Sequence, residues 1–177
     1  GRTLVVLVGD HGESLGEHEE ETHAVFAYDA TLRVPFLLSW PDREPFRTAG
    51  FVRGSAVGSM VRAIDIGPTI LDLAGLPPLP GVEGRSLLPL LLEPDRSLAL
   101  VNYAECFSPR EDYGWSEIRT ITTERWKFIL LPREELYDIV ADPDELVNRI
   151  DDEPETADSL RALLQERIDE DERREGE

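Results

Sequence analysis

Cysteine occurs once in these 177 residues, at Cys106, so no internal disulfide can staple the fold, and one thiol does not settle a redox compartment. Long hydrophobic runs are also missing. No stretch approaches the roughly 18 apolar residues that a membrane-spanning helix needs, and no basic, apolar leader opens the chain. Positive charge is scarce, with 18 Lys and Arg against 37 Asp and Glu, a net −19. That balance argues against nucleic acid and anionic membrane surfaces as partners, because phosphates would be repelled. Part of the excess is local: residues 151–177 hold 12 acidic and 4 basic side chains, a net −8. What remains is an ordinary globular composition, 41% hydrophobic, long enough to build a core. The chain starts three residues before an apolar strand-like run, from which we expect a fragment of a longer protein.

Histidine is equally sparse, and its placement is informative. The three histidines, His11, His18 and His23, all fall in the stretch Thr3–Val25. Imidazoles ligate metals and move protons near neutral pH, and carboxylates surround these three: Asp10, Glu13, Glu17, Glu19, Glu20 and Glu21. The apolar run Leu4-Val5-Val6-Leu7-Val8 precedes them and reads as a strand buried on both faces, as in a parallel sheet. It stops at Gly9-Asp10-His11-Gly12, so Asp10 and His11 leave a strand at its carboxyl end, where α/β sheets bind ligands. Glu19 to Glu21 read as a solvated acidic run.

Further along, Val34 to Trp40 predicts a second strand, with Pro35 at its start and Pro41 at its end. Residues 42–54 read as a surface connection. Apolar residues between Ile64 and Ala74 predict a helix that Asp65 caps and Gly75 stops, with Asp65 and Asp72 in cap or surface roles. A Pro/Gly-rich loop from Pro77 to Gly84 leads to a short apolar stretch ending at Leu92. Residues 93–96 form the expected boundary, giving units 1–95 and 96–177. The second unit reads as closely spaced strands at Leu98–Tyr103, Trp115–Thr123, Trp126–Leu131 and Glu135–Ile139, hence a small antiparallel sheet. An amphipathic helix over Ala157–Glu172 follows, with an acidic end expected to fray.

The segment GDHGESLGEH, followed by THAVFAYDATLRVPFLLSWP, resembles the second half of the sulfatase family in the alkaline phosphatase superfamily. Tyr28-Asp29 and Arg33-Val34-Pro35 match its "YD…RVP" segment, and the helix DIGPTILDLAG, the segment Gly84-Arg85-Ser86-Leu87, and residues 119–129 and 135–148 are similar to later family segments. The resemblance implies an α/β fold: the C-terminal part of an alkaline-phosphatase-like sheet with flanking helices, plus a small antiparallel β subdomain and a C-terminal helix. It implies a sulfuric ester hydrolase acting on a small sulfate ester, with a phosphodiester or phosphonate monoester hydrolase, or a non-catalytic module for the isolated chain, as alternatives. It further implies that Asp10 and His11 hold a divalent metal. Calcium is favoured for its taste for carboxylate oxygen, and a histidine ligand also admits manganese, magnesium or zinc. Many family members carry a lysine thirteen residues after the metal aspartate; His23 stands there and is assigned to substrate binding or leaving-group protonation. His18 is the weaker candidate, a loop histidine ordering the carboxylates. The family's nucleophile, a Cys or Ser in a Cys/Ser-x-Pro/Ala-x-Arg motif, is implied to lie in a missing N-terminal half. In Cys106-Phe107-Ser108-Pro109-Arg110 the proline falls one place late, and Cys106 reads as a small strand-end or core residue.

Overall fold

The computed structural model describes residues 3–41, 46 and 50–175. The chain divides into two compact units, one comprising Gly1–Leu7 and Leu37–Leu100, the other Val8–Phe36 and Val101–Glu177.

In the first unit, strand β1 (Val5–Val8) pairs with β2 (Phe36–Ser39), each entering the other unit by one residue. The expectation that β1 is buried on both faces is not met: Val5, Leu7 and Val8 are exposed, because among the described residues β2 is its one sheet neighbour. The predicted helix forms at Ile66–Ala74, and Gly75 ends it in the left-handed conformation at φ 70°. Asp65 stands at the N-cap position as expected, and its carboxylate caps the preceding turn, but it does not lie at the surface. It is fully buried, and its carboxylate accepts from the Arg62 guanidinium (Nη2–Oδ1 2.8 Å), the Arg62 N–H and the Arg85 N–H. A Cβ on neighbouring Gly84 would stand 1.9 Å from the Ile64 carbonyl oxygen. The Gly84–Leu87 segment therefore closes onto the turn before the helix, and Leu87 N–H reaches Thr69 Oγ1 at 2.9 Å. A one-turn helix at Leu88–Leu92 follows. Within the predicted connection at 42–54, residues 42–45 and 47–49 lie outside the described residues.

The second unit is built on a four-stranded antiparallel sheet, β3 (Asn102–Cys106), β4 (Ile118–Thr122), β5 (Trp126–Leu130) and β6 (Glu135–Asp138), in sequential order. The first strand begins later than the expected Leu98–Tyr103, and a six-residue helix, Ser108–Tyr113, interrupts the link to β4; Gly114, at φ 68°, ends it. Register places Phe128 between Ile121 and Leu136, and these three make one face. Against it packs helix α1 (Pro154–Glu175) through Ala157, Leu160, Leu164 and Ile168, whose spacing of three and four keeps them on one stripe. This helix continues to Glu175 rather than ending in its acidic turn. Because side chains alternate across a sheet, Ile118, Ile129 and Tyr137 emerge on the opposite face, which packs against Ala27 and Tyr28. The histidine-bearing loop thus rests on the face of the sheet that α1 leaves open.

Candidate functional site

The loop that follows β1 is held by close backbone approach. Gly9 N–H donates to the Pro35 carbonyl at 3.1 Å and Gly12 N–H to the Thr31 carbonyl at 2.7 Å. A Cβ on Gly12 would lie 2.2 Å from the Ala30 carbonyl oxygen, so no other residue fits there without moving the backbone. Ser14 N–H to Thr22 O (2.8 Å) and Gly16 N–H to Glu20 O (2.9 Å) then pull the loop into a tight excursion. Glu20 departs from the solvated run expected for Glu19–Glu21. It is buried, and its carboxylate accepts the Val25 N–H at 2.9 Å, closing the excursion.

Three side chains converge at its rim. The His11 and His23 rings stack with centroids 4.0 Å apart. Nδ1 of His23 lies 3.1 Å from Oε1 and 3.3 Å from Oε2 of Glu13. His11, Glu13 and His23 each offer a ligand atom, all within 4.8 Å of one another. Asp10 adjoins the group, with Oδ1 4.0 Å from His11 Nε2, and points largely into solvent, 92% exposed. Its own amide and the His11 N–H, which donates to Oδ1 at 3.1 Å, hold its carboxyl below the usual range. The His11 imidazole is pushed the other way by the Gly12 carbonyl, which accepts from Nδ1 at 2.7 Å and favours the charged ring.

His18 stands apart from this group. Its ring stacks on Tyr28 at 3.6 Å and Nε2 contacts the Asp144 carbonyl at 3.2 Å. Cys106, at the end of β3, is half-buried and its Sγ–H donates to the Ala24 carbonyl at 3.2 Å. Ala24 itself holds φ 84°, a strained conformation for a residue with a Cβ, immediately after His23.

Beneath the loop lies a charge network that sequence reasoning missed. Lys127, in the apolar-looking strand WKFIL, is fully buried, with Nζ 2.9 Å from Asp29 Oδ1 and 2.8 Å from Glu145 Oε1. The other Glu145 oxygen accepts the Asp29 N–H at 2.6 Å. Burial pushes the Glu145 carboxyl up, against the opposing pull of the Lys127 ammonium. Alongside, Tyr28 Oη and Tyr137 Oη both donate to Glu135 Oε2, at 2.8 and 3.0 Å. The one signal for this network in the sequence is a lysine on the sheet face otherwise occupied by Ile129 and Tyr137.

Residues 16–174 match the family described as N-sulphoglucosamine sulphohydrolase, C-terminal. Arylsulfatase K of Gallus gallus is 33% identical over 178 residues, covering 92% of this chain and 30% of that protein. The Homo sapiens arylsulfatase K is likewise 33% identical, over 174 residues. Among solved structures, BT1596, a 2-O GAG sulfatase, superposes with a TM-score of 0.75 at 26% identity, over 94% of this chain and 36% of its own. The phosphonate monoester hydrolase of Agrobacterium radiobacter superposes with a TM-score of 0.69 at 25% identity, over 94% of this chain and 35% of its own. The chain spans about 30% of the length of the curated relatives it matches. Among the described residues, no helix is long and apolar enough to cross a membrane.

Proposed function

The chain belongs to the N-sulphoglucosamine sulphohydrolase C-terminal family of sulfatase domains, and from that premise we propose that it carries part of the metal and substrate site of a sulfuric ester hydrolase. The observation that supports this most is the Asp10–His11 pair just beyond β1 with the His23 ring stacked on His11. The donors suit a divalent cation: Asp10 supplies a hard carboxylate oxygen and His11 a ring nitrogen, with Glu13 alongside. Calcium is the family expectation. A bound divalent cation would stabilise charge on the ester's non-bridging oxygens.

The chain's own residues do the rest in this reading. Two backbone amides stabilise the Asp10 anion and hold its carboxyl below the usual range. His23 is steadied through Nδ1 by Glu13, leaving Nε2 to bind a sulfate oxygen or to give a proton to the leaving oxygen. The nucleophile comes from outside these 177 residues. Cys106 is spent on packing and on the Ala24 carbonyl.

The alternative, a phosphonate monoester hydrolase, draws on the Agrobacterium radiobacter superposition. Arylsulfate and phenylphosphonate turnover are to be compared in the longer protein that contains this chain, with and without added divalent metal. Metal-dependent arylsulfate hydrolysis, weakened at least tenfold by His23→Ala, is expected. A preference for the phosphonate would move the assignment to the alternative. Arylsulfate turnover by the 177-residue chain alone, lost on Cys106→Ala, would overturn the assignment of the nucleophile.

A further inference from the structure

We propose that Tyr113 and Trp115 form a stacking platform for an uncharged hexopyranose ring, a subsite for a sugar that carries or neighbours the ester. The proposal rests on the reading that the His23 loop binds a sulfuric ester, and it names the class of alcohol.

Trp115 is the one exposed tryptophan of the three, at 59%, and Tyr113 beside it is 57% exposed. Their rings stack with centroids 5.0 Å apart and planes 30° from parallel. Stacking covers the facing sides, so the exposure belongs to the outer faces and edges. The pair is also held in place. Gly114 turns the chain at φ 68°, its N–H donates to the Arg110 carbonyl at 3.1 Å, and the Trp115 N–H donates to the Pro109 carbonyl at 3.0 Å. Below the turn, Arg110 and Arg119 both pair with Glu117, and both guanidiniums lie over the Phe107 ring. A ligand that stacks here therefore meets rings already ordered, which lowers the entropic cost of binding.

The rim decides what stacks. Between residues 110 and 119 stand two arginines, Arg110 and Arg119, and three acids, Glu111, Asp112 and Glu117. That mixture does not gather an anion, but it offers donors and acceptors to hydroxyl groups. A pyranose matches both features, with a face of C–H bonds for the aromatic rings and hydroxyls at its edge. Two side chains fall far short of the roughly 1,200–2,000 Å² that a stable protein interface buries. The position fits the ester reading as well. The segment leaves β3 at Cys106, whose Sγ–H donates to the Ala24 carbonyl at 3.2 Å, and Ala24 follows His23.

The test uses the 177-residue chain with two unsulfated, uncharged probes, cellotetraose and chitotetraose, followed by tryptophan fluorescence and by isothermal titration calorimetry. Expected is saturable millimolar binding of at least one probe, with a change in emission. Trp115→Ala weakens binding about tenfold and Tyr113→Ala severalfold. Trp115→Phe keeps the binding seen by calorimetry and loses the emission change, and Leu79→Ala, at an exposed apolar position elsewhere, leaves binding unchanged. Far-UV circular dichroism confirms that each variant folds. No binding of either probe by the folded chain, or binding unaffected by Trp115→Ala, overturns the proposal. So does self-association lost in Trp115→Ala, which makes the pair an interface between copies, and so does binding of phenol without either saccharide, which makes it an aryl subsite. The probes carry no sulfate, so the ester-hydrolase reading stands or falls separately, on arylsulfate turnover by the longer protein.

Discussion

Replacing Lys127 by methionine keeps most of the side chain's volume and removes its charge from between Asp29 and Glu145. At 2.9 and 2.8 Å and an effective dielectric of about 20, each contact has a gross Coulomb attraction of about 6 kcal/mol. That attraction offsets the desolvation of a lysine with no solvent exposure. Without it Glu145 remains buried and unpaired, whereas Asp29, about a quarter exposed, can rehydrate. Removal of one partner of a buried pair costs about 3–5 kcal/mol, a large share of the ~5–15 kcal/mol that holds a typical domain. Urea unfolding of the 177-residue chain at pH 7, followed by tryptophan fluorescence, measures the loss. The double variant Lys127→Met/Glu145→Gln should recover about 1–3 kcal/mol of it as coupling, because it removes the orphaned charge. The pH dependence has a defined sign. Burial raises the folded-state pKa of Glu145, so stability tied to its protonated form is present below the unfolded value and lost as pH rises through the folded one. Loss of Lys127 enlarges that shift, and the deficit of the single variant should therefore shrink as pH is lowered. A loss below about 1 kcal/mol, or a double variant no more stable than the single, would refute the argument that this network holds the loop to the sheet.

Other outcomes are expected. Arg125 holds the Asp138 carboxyl, and Arg161 the Glu134 carboxyl, below the usual range. Their stabilisation is present above the unfolded pKa of about 4 and is lost as pH falls through the folded values, so urea midpoints measured from pH 5 downward should fall less steeply for Asp138→Asn than for wild type. Gly84→Ala must displace the Ile64 carbonyl and should destabilise by about 1–3 kcal/mol; a neutral effect on thermal melting would contradict the close approach. Cys106→Ala removes one weak S–H donor and a little packing, so the longer protein's turnover should stay within a factor of two of wild type, and abolition would make Cys106 a reacting group.

Much of the architecture is legible in local pattern. The four closely spaced strands from residue 102 to 138, the helix stopped at Gly75, and the 22-residue C-terminal helix all follow from period and turn chemistry, which are properties of neighbouring residues. The short helix Ser108–Tyr113 carries no such signal, since six residues make under two turns. The site was partly legible for the same reason. Three histidines within thirteen positions mark the loop, and Gly12 marks where it passes closest to other backbone.

Sequence by itself determined which residue types stand at the end of β1 and that a turn delivers them. Tertiary structure decided which of them meet. His23 reaches His11 because the Glu20 carboxylate and the Ser14–Thr22 contact fold the intervening residues back, whereas His18 leaves at φ 54° to stack on Tyr28. The burial of Lys127, Asp65 and Glu20 was likewise invisible, because a charged residue reads as exposed until its partner is known. Lys127 meets Asp29 98 positions away; Asp65, paired with Arg62 three positions back, also takes the Arg85 N–H 20 positions on; and Glu20 takes the Val25 N–H 5 positions on. The grouping of residues 8–36 with 101–177 has the same origin. It depends on Tyr28 meeting Glu135 and Asp29 meeting Lys127 across about a hundred residues, and contacts between positions that far apart leave no periodicity in the chain.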